Sequence, residues 1–331
     1  MNWYPWLNYP YQRIISCYQN DQGPHVLLLH SKKGNGEISL MYAIVRWLMC
    51  YQPNGIKSCN QCYSCHLMMI DSHPDYYYLA PDKVDHQTIG IDSIRIVINS
   101  IHFRPRQSRR KVVWIPYSNL LTDQSANALL KVLEELSDET YFLLGCRELS
   151  DLLPTFRSRC FYWALPVPKE SLALQYLHST GTVFDPQVVC TALRLCSGAI
   201  QAAEELLQPT RWKERLTLCA TISNTITSRD MLLLLPLLNK SKDREPLNWL
   251  LSFLVDTYKW QQDIKTSLIN SDMSNLVKTL ASHWSMELMH VQWQKWLRFR
   301  RQSHEISGIN HELLLTHYLL SWERDIIDHC V

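Results

Sequence analysis

The sequence predicts an α/β domain followed by an all-α region. Short apolar runs alternate with helical patterns up to about residue 163, and from residue 169 onward only helical patterns occur. The length of 331 residues agrees with two or three domains. Hydrophobic residues make up 46% of the chain and charged residues 19%, which is typical of a folded protein with buried cores.

Five short runs in the first half are predicted strands because they are apolar and rich in β-branched and aromatic residues. They are residues 25–29, 76–79, 111–115, 141–144 and 160–163. Strands that are apolar along their whole length, with helices between them, favour a parallel sheet that is covered on both faces.

The clearest helical pattern covers residues 123–136. Apolar residues recur at helical spacing from Ala126 to Leu133, and Thr122 or Asp123 can cap the first turn. We therefore expect an amphipathic helix with one face on the sheet.

Composition and charge exclude several classes of protein. Glycine is scarce, with 9 residues, which excludes collagen-like and glycine-rich chains. The net charge of +2 gives no global electrostatic reason to bind nucleic acid. Residues 1–11 lack the order of a signal peptide, and the longest apolar runs are too short to span a membrane. We expect a cytoplasmic protein without membrane contact.

Four cysteines form the first motif with chemistry. Cys50, Cys59, Cys62 and Cys65 have the spacing C-x8-C-x2-C-x2-C. Four thiolates suit tetrahedral zinc, and a complete cysteine set leaves no open position for a substrate, so the site is expected to be structural. An iron–sulfur cluster is the alternative, but the spacing differs from the ferredoxin patterns. Zinc is favoured, in a module of about residues 50–65.

Other cysteines and histidines lie near this motif or elsewhere in the first half. His66 and His73 are alternative ligands, although four cysteines suffice, and a solvent-facing or capping role is simpler for both. Cys146 and Cys160 stand in apolar surroundings, and we expect them to be core residues.

The second motif lies after the first strand, where α/β NTPases carry the phosphate loop G-x-x-x-x-G-K-[ST]. Gly34 and Gly36 are present, but Ser31 replaces the first glycine, Glu37 the lysine and Ile38 the hydroxyl residue. A carboxylate at the lysine position would repel a phosphate group. The loop is therefore either an ordinary strand-to-helix turn, the simpler interpretation of the loop alone, or a degenerate phosphate loop.

The second half of an NTPase site is also missing. An acidic pair normally ends an apolar strand and holds magnesium, but Pro116 and Tyr117 follow the strand at residues 111–115. Magnesium has no ligand at that position.

Further motifs occur in a characteristic order along the chain. They are Trp-Tyr-Pro-Trp-Leu at 3–7, the cysteine set, His-Pro-Asp at 73–75, Leu-Thr-Asp at 121–123, Asn-Ala-Leu-Leu-Lys-Val-Leu-Glu-Glu at 127–135, Arg-Ser-Arg-Cys at 157–160 and Gly-Ile-Asn-His-Glu-Leu-Leu at 308–314. In this order they resemble the delta-prime subunits of bacterial DNA polymerase III clamp loaders, of the gammaproteobacterial type. The resemblance covers essentially the whole chain and favours the degenerate phosphate loop.

The resemblance implies an AAA+ architecture in three parts. A RecA-like α/β module with a parallel sheet would occupy residues 1–165 and contain the zinc module. A small helical lid would follow at 166–208, and a C-terminal helical collar for oligomerisation at 209–331. Delta-prime subunits take one place in a five-subunit ring with gamma/tau and delta, and the complex acts on the sliding beta clamp and primer–template DNA.

Two more ATPase elements depart from the family pattern. Active loaders have a polar sensor after the strand at 141–144, where this chain has Gly145, Cys146 and Arg147. Gln201 stands where active subunits have the sensor-two arginine. Together with the changed loop and the missing acidic pair, these departures predict no ATP hydrolysis by this chain and no bound nucleotide.

The resemblance assigns Arg159 the role of an arginine finger in trans, with Ser158 and Cys160 completing its motif. In the family this arginine reaches ATP that is bound by the neighbouring gamma/tau subunit. A guanidinium against the γ-phosphate stabilises the charge that develops in phosphoryl transfer. The alternative is an exposed arginine at the start of a strand that makes an ordinary salt bridge.

The helix at 123–136 has a core face, and the resemblance implies that it also frames the subunit interface, where Glu134 and Glu135 would pair with basic residues of a neighbour. Leu136 replaces the proline that usually follows this pair in the family, so the end of the helix is not fixed by the motif.

A basic stretch precedes the strand at 111–115. It consists of Arg104, Arg106, Arg109, Arg110 and Lys111. A solvated loop is the simpler interpretation, and contact with DNA phosphates, with Arg95 added, is the alternative.

The leading hypothesis is a non-hydrolysing assembly subunit that completes an ATP site on a neighbour and helps to place the sliding clamp on primed DNA during chromosomal replication. The alternatives are a free-standing zinc-containing nucleic-acid-binding or adaptor protein and a residual nucleotide-binding switch.

Overall fold

The computed structural model describes residues 2–81, 88–180, 184–239, 245–305 and 310–329. The chain divides into two compact units, Met1–Pro168 and Lys169–Val331. The finer division into 1–165, 166–208 and 209–331 stays a prediction. No helix of the described residues is both long and apolar enough to cross a membrane.

The first unit alternates strands and helices. In chain order its elements are a 3-10 turn Pro5–Leu7, α1 Asn8–Gln19, β1 Val26–His30, α2 Glu37–Met49, α3 Tyr63–Met69, β2 Tyr76–Tyr78, α4 Ile91–Ile101, β3 Lys111–Ile115, a 3-10 turn Ser118–Leu120, α5 Asp123–Glu134, β4 Thr140–Cys146, a 3-10 turn Leu149–Asp151, α6 Pro154–Arg157 and β5 Phe161–Ala164.

The five strands form one sheet in the order β2-β3-β4-β1-β5, and every strand pair is parallel. All five residues of β3 are buried, as are four of the five in β1, which explains why these strands are apolar runs without alternation. The five predicted strands are confirmed with ends shifted by at most two residues. The strand β5 lies at an edge and is largely exposed.

The helix α5 carries the predicted cap and core face. The Thr122 hydroxyl accepts a hydrogen bond from the backbone N–H of Ser125, and Leu129 and Leu133 are buried. The helix ends at Glu134, two residues before the predicted end at Leu136. Its ladder stops because the backbone of the next residue leaves the helical region, at φ −115° and ψ 36°.

The second unit is helical throughout its described residues, as the sequence predicts. In chain order it contains α7 Glu170–Ser179, α8 Pro186–Leu195, α9 Ile200–Leu206, α10 Pro209–Ser228, a 3-10 turn Met231–Leu234, α11 Leu235–Leu238, α12 Glu245–Gln261, a 3-10 turn Ser271–Met273, α13 Ser274–His283, α14 Met286–Glu305 and α15 His311–His329. Together with the parallel sheet of the first unit, this confirms the α/β plus all-α fold class.

Large aromatic rings form the core where α14 meets α15. Trp296 and Trp322 are fully buried with their ring centroids 5.8 Å apart, and Trp284 lies 5.3 Å from Trp322. Gly308 and Ile309 of the predicted C-terminal motif lie outside the described residues.

Candidate functional site

The four predicted cysteine ligands lie together in the first unit. Their sulfur atoms are all within 4.8 Å of one another. The Sγ of Cys59 lies 3.5 Å from that of Cys50 and 3.9 Å from that of Cys65. A tetrahedral zinc ion with Zn–S bonds of about 2.3 Å would place its sulfurs about 3.8 Å apart. The spacing therefore fits a four-thiolate metal site.

Backbone N–H groups point at these sulfur atoms. Those of Cys59, Cys62 and Cys65 donate to the sulfurs of Cys50, Cys59 and Cys62 at 3.3–3.4 Å. The N–H groups of Gln61 and Cys62 lower the pKa of the Cys59 thiol to about 6, whereas burial raises the pKa of Cys50 and of Cys65. A bound cation would hold all four as thiolates.

Neither histidine near the cluster is a ligand of it. His66 is exposed. His73 is buried, and its Nδ1 accepts the backbone N–H of Asp75 at 3.1 Å while its Nε2 lies 2.9 Å from the Ser64 hydroxyl. Burial lowers the pKa of His73, so a neutral ring with the proton on Nε2 donates to Ser64. That hydroxyl in turn donates to the Met49 carbonyl at 2.5 Å.

Asp75 is a structural residue of the His-Pro-Asp motif that the sequence analysis left without a role. Its buried carboxylate accepts the backbone N–H groups of Arg106, Gln107 and Ser108 at 2.7–3.0 Å. Asp75 thus shapes the loop before β3, and His73 joins that loop to the cysteine module. The position of Asp75 directly before the predicted strand at 76–79 was the one sequence feature that could have indicated this structural role.

Two residues of the basic stretch before β3, Arg110 and Lys111, take part in packing. Lys111 is buried and donates to the carbonyls of Ser100, at 2.5 Å, and Phe103, which corrects the alternative that it contacts DNA phosphates. Its burial also lowers its pKa. The guanidinium of Arg110 lies 5.6 Å from the Trp47 ring and 5.4 Å from the Tyr141 ring. The exposed arginines of this stretch are Arg104, Arg106 and Arg109.

The loop between β1 and α2 keeps the backbone shape of an anion cradle. Gly34 and Gly36 have φ values of 78° and 89°, which other residues adopt rarely. A Cβ atom on Gly36 would also lie 2.9 Å from the Tyr4 ring. The aromatic motif at 3–7 therefore packs directly on the loop, and the Trp6 indole N–H donates to the Asn35 carbonyl at 3.0 Å.

Glu37 fills this cradle from within the chain. Its two carboxylate oxygens accept the backbone N–H groups of Gly34, at 3.3 Å, and Asn35, at 3.0 Å. In a phosphate loop these donors point at the phosphates. A carboxylate at position 37 was predicted to repel phosphate. In the structure it also occupies the backbone donors that would otherwise bind an external anion.

Little space remains beside the loop. The cavity lined by Ser31, Glu37 and Ile38 measures about 10 Å³, which is about enough for one water molecule. The backbone closes it, because a Cβ atom on Gly145 would lie 2.2 Å from the Pro116 carbonyl oxygen. Glycine at position 145 lets β4 approach the residue that stands where an NTPase has its acidic pair.

Arg159 follows α6 and precedes the edge strand β5. Its side chain is 33% exposed. The Nε–H donates to Oε1 of Glu134 at 2.6 Å, a second donor of the same guanidinium contacts that oxygen, and Nη1 donates to the Thr155 carbonyl at 2.8 Å. Glu134, predicted to pair with a neighbouring subunit, thus pairs with Arg159 of its own chain.

The residues on both sides of Arg159 fix the turn. The Ser158 hydroxyl donates to the Thr155 carbonyl at 3.0 Å, and the Cys160 thiol donates to the carbonyl of buried Phe156 at 3.2 Å. Burial raises the pKa of Cys160 to about 12, so its thiol is an unreactive packing group, as the sequence predicts. Cys146 is buried in the same core.

The loop and the arginine lie at opposite ends of the parallel strands β1 and β5. The parallel register pairs Leu27 of β1 with Phe161 of β5, so Arg159 lies beside the start of β1, whereas the loop follows its end at His30. Five strand residues at about 3.3 Å each separate them by roughly 17 Å. A phosphate group at that loop would therefore lie at the opposite end of β1 from Arg159 of the same chain.

Comparisons with known proteins agree along the chain. The family model described as DNA polymerase III, delta subunit, matches residues 8–169, and the model for the C-terminal part of the delta subunit matches residues 209–324. The chain is 45% identical over 328 residues to DNA polymerase III subunit delta' of Yersinia pestis, covering 98% of this chain and 96% of that protein. It is 39% identical over 323 residues to the subunit of the same name from Escherichia coli strain K12, again covering 98% and 96%.

Among solved structures, a DNA polymerase III gamma subunit-related protein from Thermotoga maritima is similar with a TM-score of 0.45 and 17% identity. The match covers 95% of this chain and 99% of that one.

Proposed function

This chain belongs to the family of DNA polymerase III delta' subunits, and from that membership we propose that it is a clamp-loader subunit that hydrolyses no ATP itself. It presents Arg159 to ATP bound by a neighbouring gamma/tau subunit. In a hetero-pentameric ring with gamma/tau and delta, it would help to load the beta clamp on primer–template DNA. The cytoplasmic location stays a prediction.

One observation carries the proposal. Arg159 and the loop after β1 lie at opposite ends of neighbouring strands, and the backbone donors of the loop are occupied by the carboxylate of Glu37. The position of Arg159 at the strand end opposite its own loop, roughly 17 Å away, supports a role toward a nucleotide that another chain carries. The same closed loop disfavours a residual nucleotide-binding switch.

The chemical role of Arg159 is electrostatic. In the transferring phosphoryl group, negative charge develops on the oxygens around the γ-phosphorus. A planar guanidinium stabilises that charge through two parallel N–H donors and a permanent positive charge. The chain itself breaks no bond; it supplies the cation to a neighbour's reaction.

We propose that the metal of the cysteine cluster is zinc and that its role is structural. Cys50, Cys59, Cys62 and Cys65 would hold it, and the ion would replace the hydrophobic core that so small a module lacks. Elemental analysis of the purified chain is expected to find about one zinc per chain and none after Cys62→Ser. Cys17→Ser, in α1 and outside the cluster, is the control that keeps the zinc. A chain without zinc that kept all four thiols reduced and folded normally would contradict the assignment.

The arginine is tested by reconstitution with gamma/tau and delta, followed by measurement of ATPase stimulated by clamp and primed DNA. Arg159→Ala is expected to lower hydrolysis at the completed site about 10³-fold while the assembly forms normally. Arg157→Ala, in the same turn but bonded to the Leu149 carbonyl, is the matched control. An Arg159→Ala assembly with unchanged ATPase, or ATPase activity of the isolated chain, would contradict the proposal.

A further inference from the structure

We propose that Glu134 is the positioning residue of Arg159: its carboxylate holds the guanidinium by one edge and leaves the opposite donors free for a phosphate group. This inference rests on the proposed function, because it assigns a role to the partner of the same arginine. The two residues come from different elements, the last turn of α5 and the turn after α6.

The hydrogen-bond pattern shows whether Glu134 positions the Arg159 guanidinium or occupies the donors that a phosphate group would need. A guanidinium has five N–H donors in one plane. Within the described residues, Glu134 engages the edge formed by Nε and Nη2 through a single oxygen, and the Thr155 carbonyl engages Nη1. Three donors are thereby used, and two remain, one on each terminal nitrogen. The arginine is fixed in direction without being fully occupied.

The surroundings leave room for an incoming group. Glu134 and Arg159 both line an open groove of about 350 Å³, together with Leu133, Leu136 and Phe161. The side chains of the pair are 51% and 33% exposed. A phosphate carried by another chain can therefore approach the guanidinium from the solvent side.

Stability of this chain alone does not explain a glutamate at this position. A carboxylate in the last turn of a helix lies at the negative end of the helix dipole, which disfavours it. An ion pair this exposed contributes little to folding, because solvent and salt screen it. What the pair does achieve is to order a long side chain that would otherwise sample many rotamers before reaching a phosphate.

The test uses assemblies with gamma/tau and delta, and it measures the part of the stimulated ATPase rate that Arg159→Ala removes. Glu134→Ala is expected to lower kcat of that part about two- to tenfold and to leave KM for ATP unchanged, because the positioned group acts in the transition state. Glu134→Gln keeps an acceptor oxygen and the same shape, so it is expected to restore most of the rate. Asp138→Ala, an exposed carboxylate without an ion pair among the described residues, is the matched control.

A double variant separates positioning from any other effect. Arg159→Ala combined with Glu134→Ala is expected to hydrolyse ATP at the rate of Arg159→Ala alone, since Glu134 acts only through the arginine. A further loss in the double variant, or a Glu134→Ala rate that equals or exceeds that of the unmodified assembly, would overturn the inference and leave the proposed function intact. If Arg159→Ala itself changes nothing, the proposed function fails, and the inference fails with it.

Discussion

The two ends of strand β1 differ in how accessible their polar groups are to another molecule. At its end, the loop up to Gly36 has the backbone of an anion site, but Glu37 occupies the N–H donors and about 10 Å³ of space remains. Beside its start, Arg159 is exposed, borders an open groove and keeps free donors. A carboxylate of the same chain that occupies the backbone donors closes an anion site more completely than the loss of single contacts does. A side chain that acts on another chain must instead be exposed.

The largest effect is expected from replacing the guanidinium while keeping the charge. Arg159→Lys cannot present two parallel donors or be held by the edge that Glu134 engages, so stimulated ATPase at the completed site should fall about a hundredfold or more. Arg157→Lys is the control, measured in the same reconstituted assembly. Nearly full activity in Arg159→Lys would show that a positive charge alone suffices and that the planar geometry of the guanidinium is not required.

The closed end of β1 is tested next, by adding one methyl group. Gly145→Ala places a Cβ atom 2.2 Å from the Pro116 carbonyl. Because both partners are buried backbone, Gly145 in β4 and Pro116 directly after β3, we expect a loss of about 2–3 kcal/mol in the free energy of unfolding. Urea denaturation measures this loss. Gly90→Ala, where an added Cβ meets nothing within 4 Å, should cost well under half as much. Equal costs would mean that the strand and Pro116 are not in rigid contact.

The smallest effect concerns the internal anion. Glu37→Ala removes the carboxylate acceptor of the Gly34 N–H and leaves the Asn35 N–H with the Lys32 carbonyl alone. It should lower the free energy of unfolding by about 1 kcal/mol in urea denaturation. Restoring the last two positions of the loop consensus with Glu37→Lys and Ile38→Thr should still give no ATPase activity, because no acidic pair follows β3 and the cavity stays closed. Hydrolysis by that double variant alone would show that the loop sequence, not the closed geometry, is what silences the site.

Much of the fold could be predicted because its signals are local. The five strands are short runs of mainly apolar and aromatic residues, and Thr122 together with the spaced leucines predicts α5. The cysteine cluster could also be predicted, since three of its cysteines lie within seven residues. The end of α5 was missed by two residues, because no proline or glycine marks where its hydrogen-bond ladder stops.

The contacts between residues far apart in the chain could not be predicted in the same way. Glu134 and Arg159 are 25 residues apart, and only the packing of α5 beside α6 brings them together. Lys111 looked like part of a basic patch, yet it is buried under the end of α4. In both cases the partner is set by how helices dock on the sheet, which depends on many side chains at once.

The amino-acid sequence by itself determined the fold class, the cysteine cluster and the departures from the phosphate-loop consensus, because each depends on residue type at short spacing. Only the tertiary structure decided that the Glu37 carboxylate accepts the N–H groups of the loop, that Arg159 lies beside the opposite end of β1, and that Glu134 pairs with Arg159. Those facts depend on strand register and helix docking, in which side chains far apart in the chain meet at distances of about 3 Å.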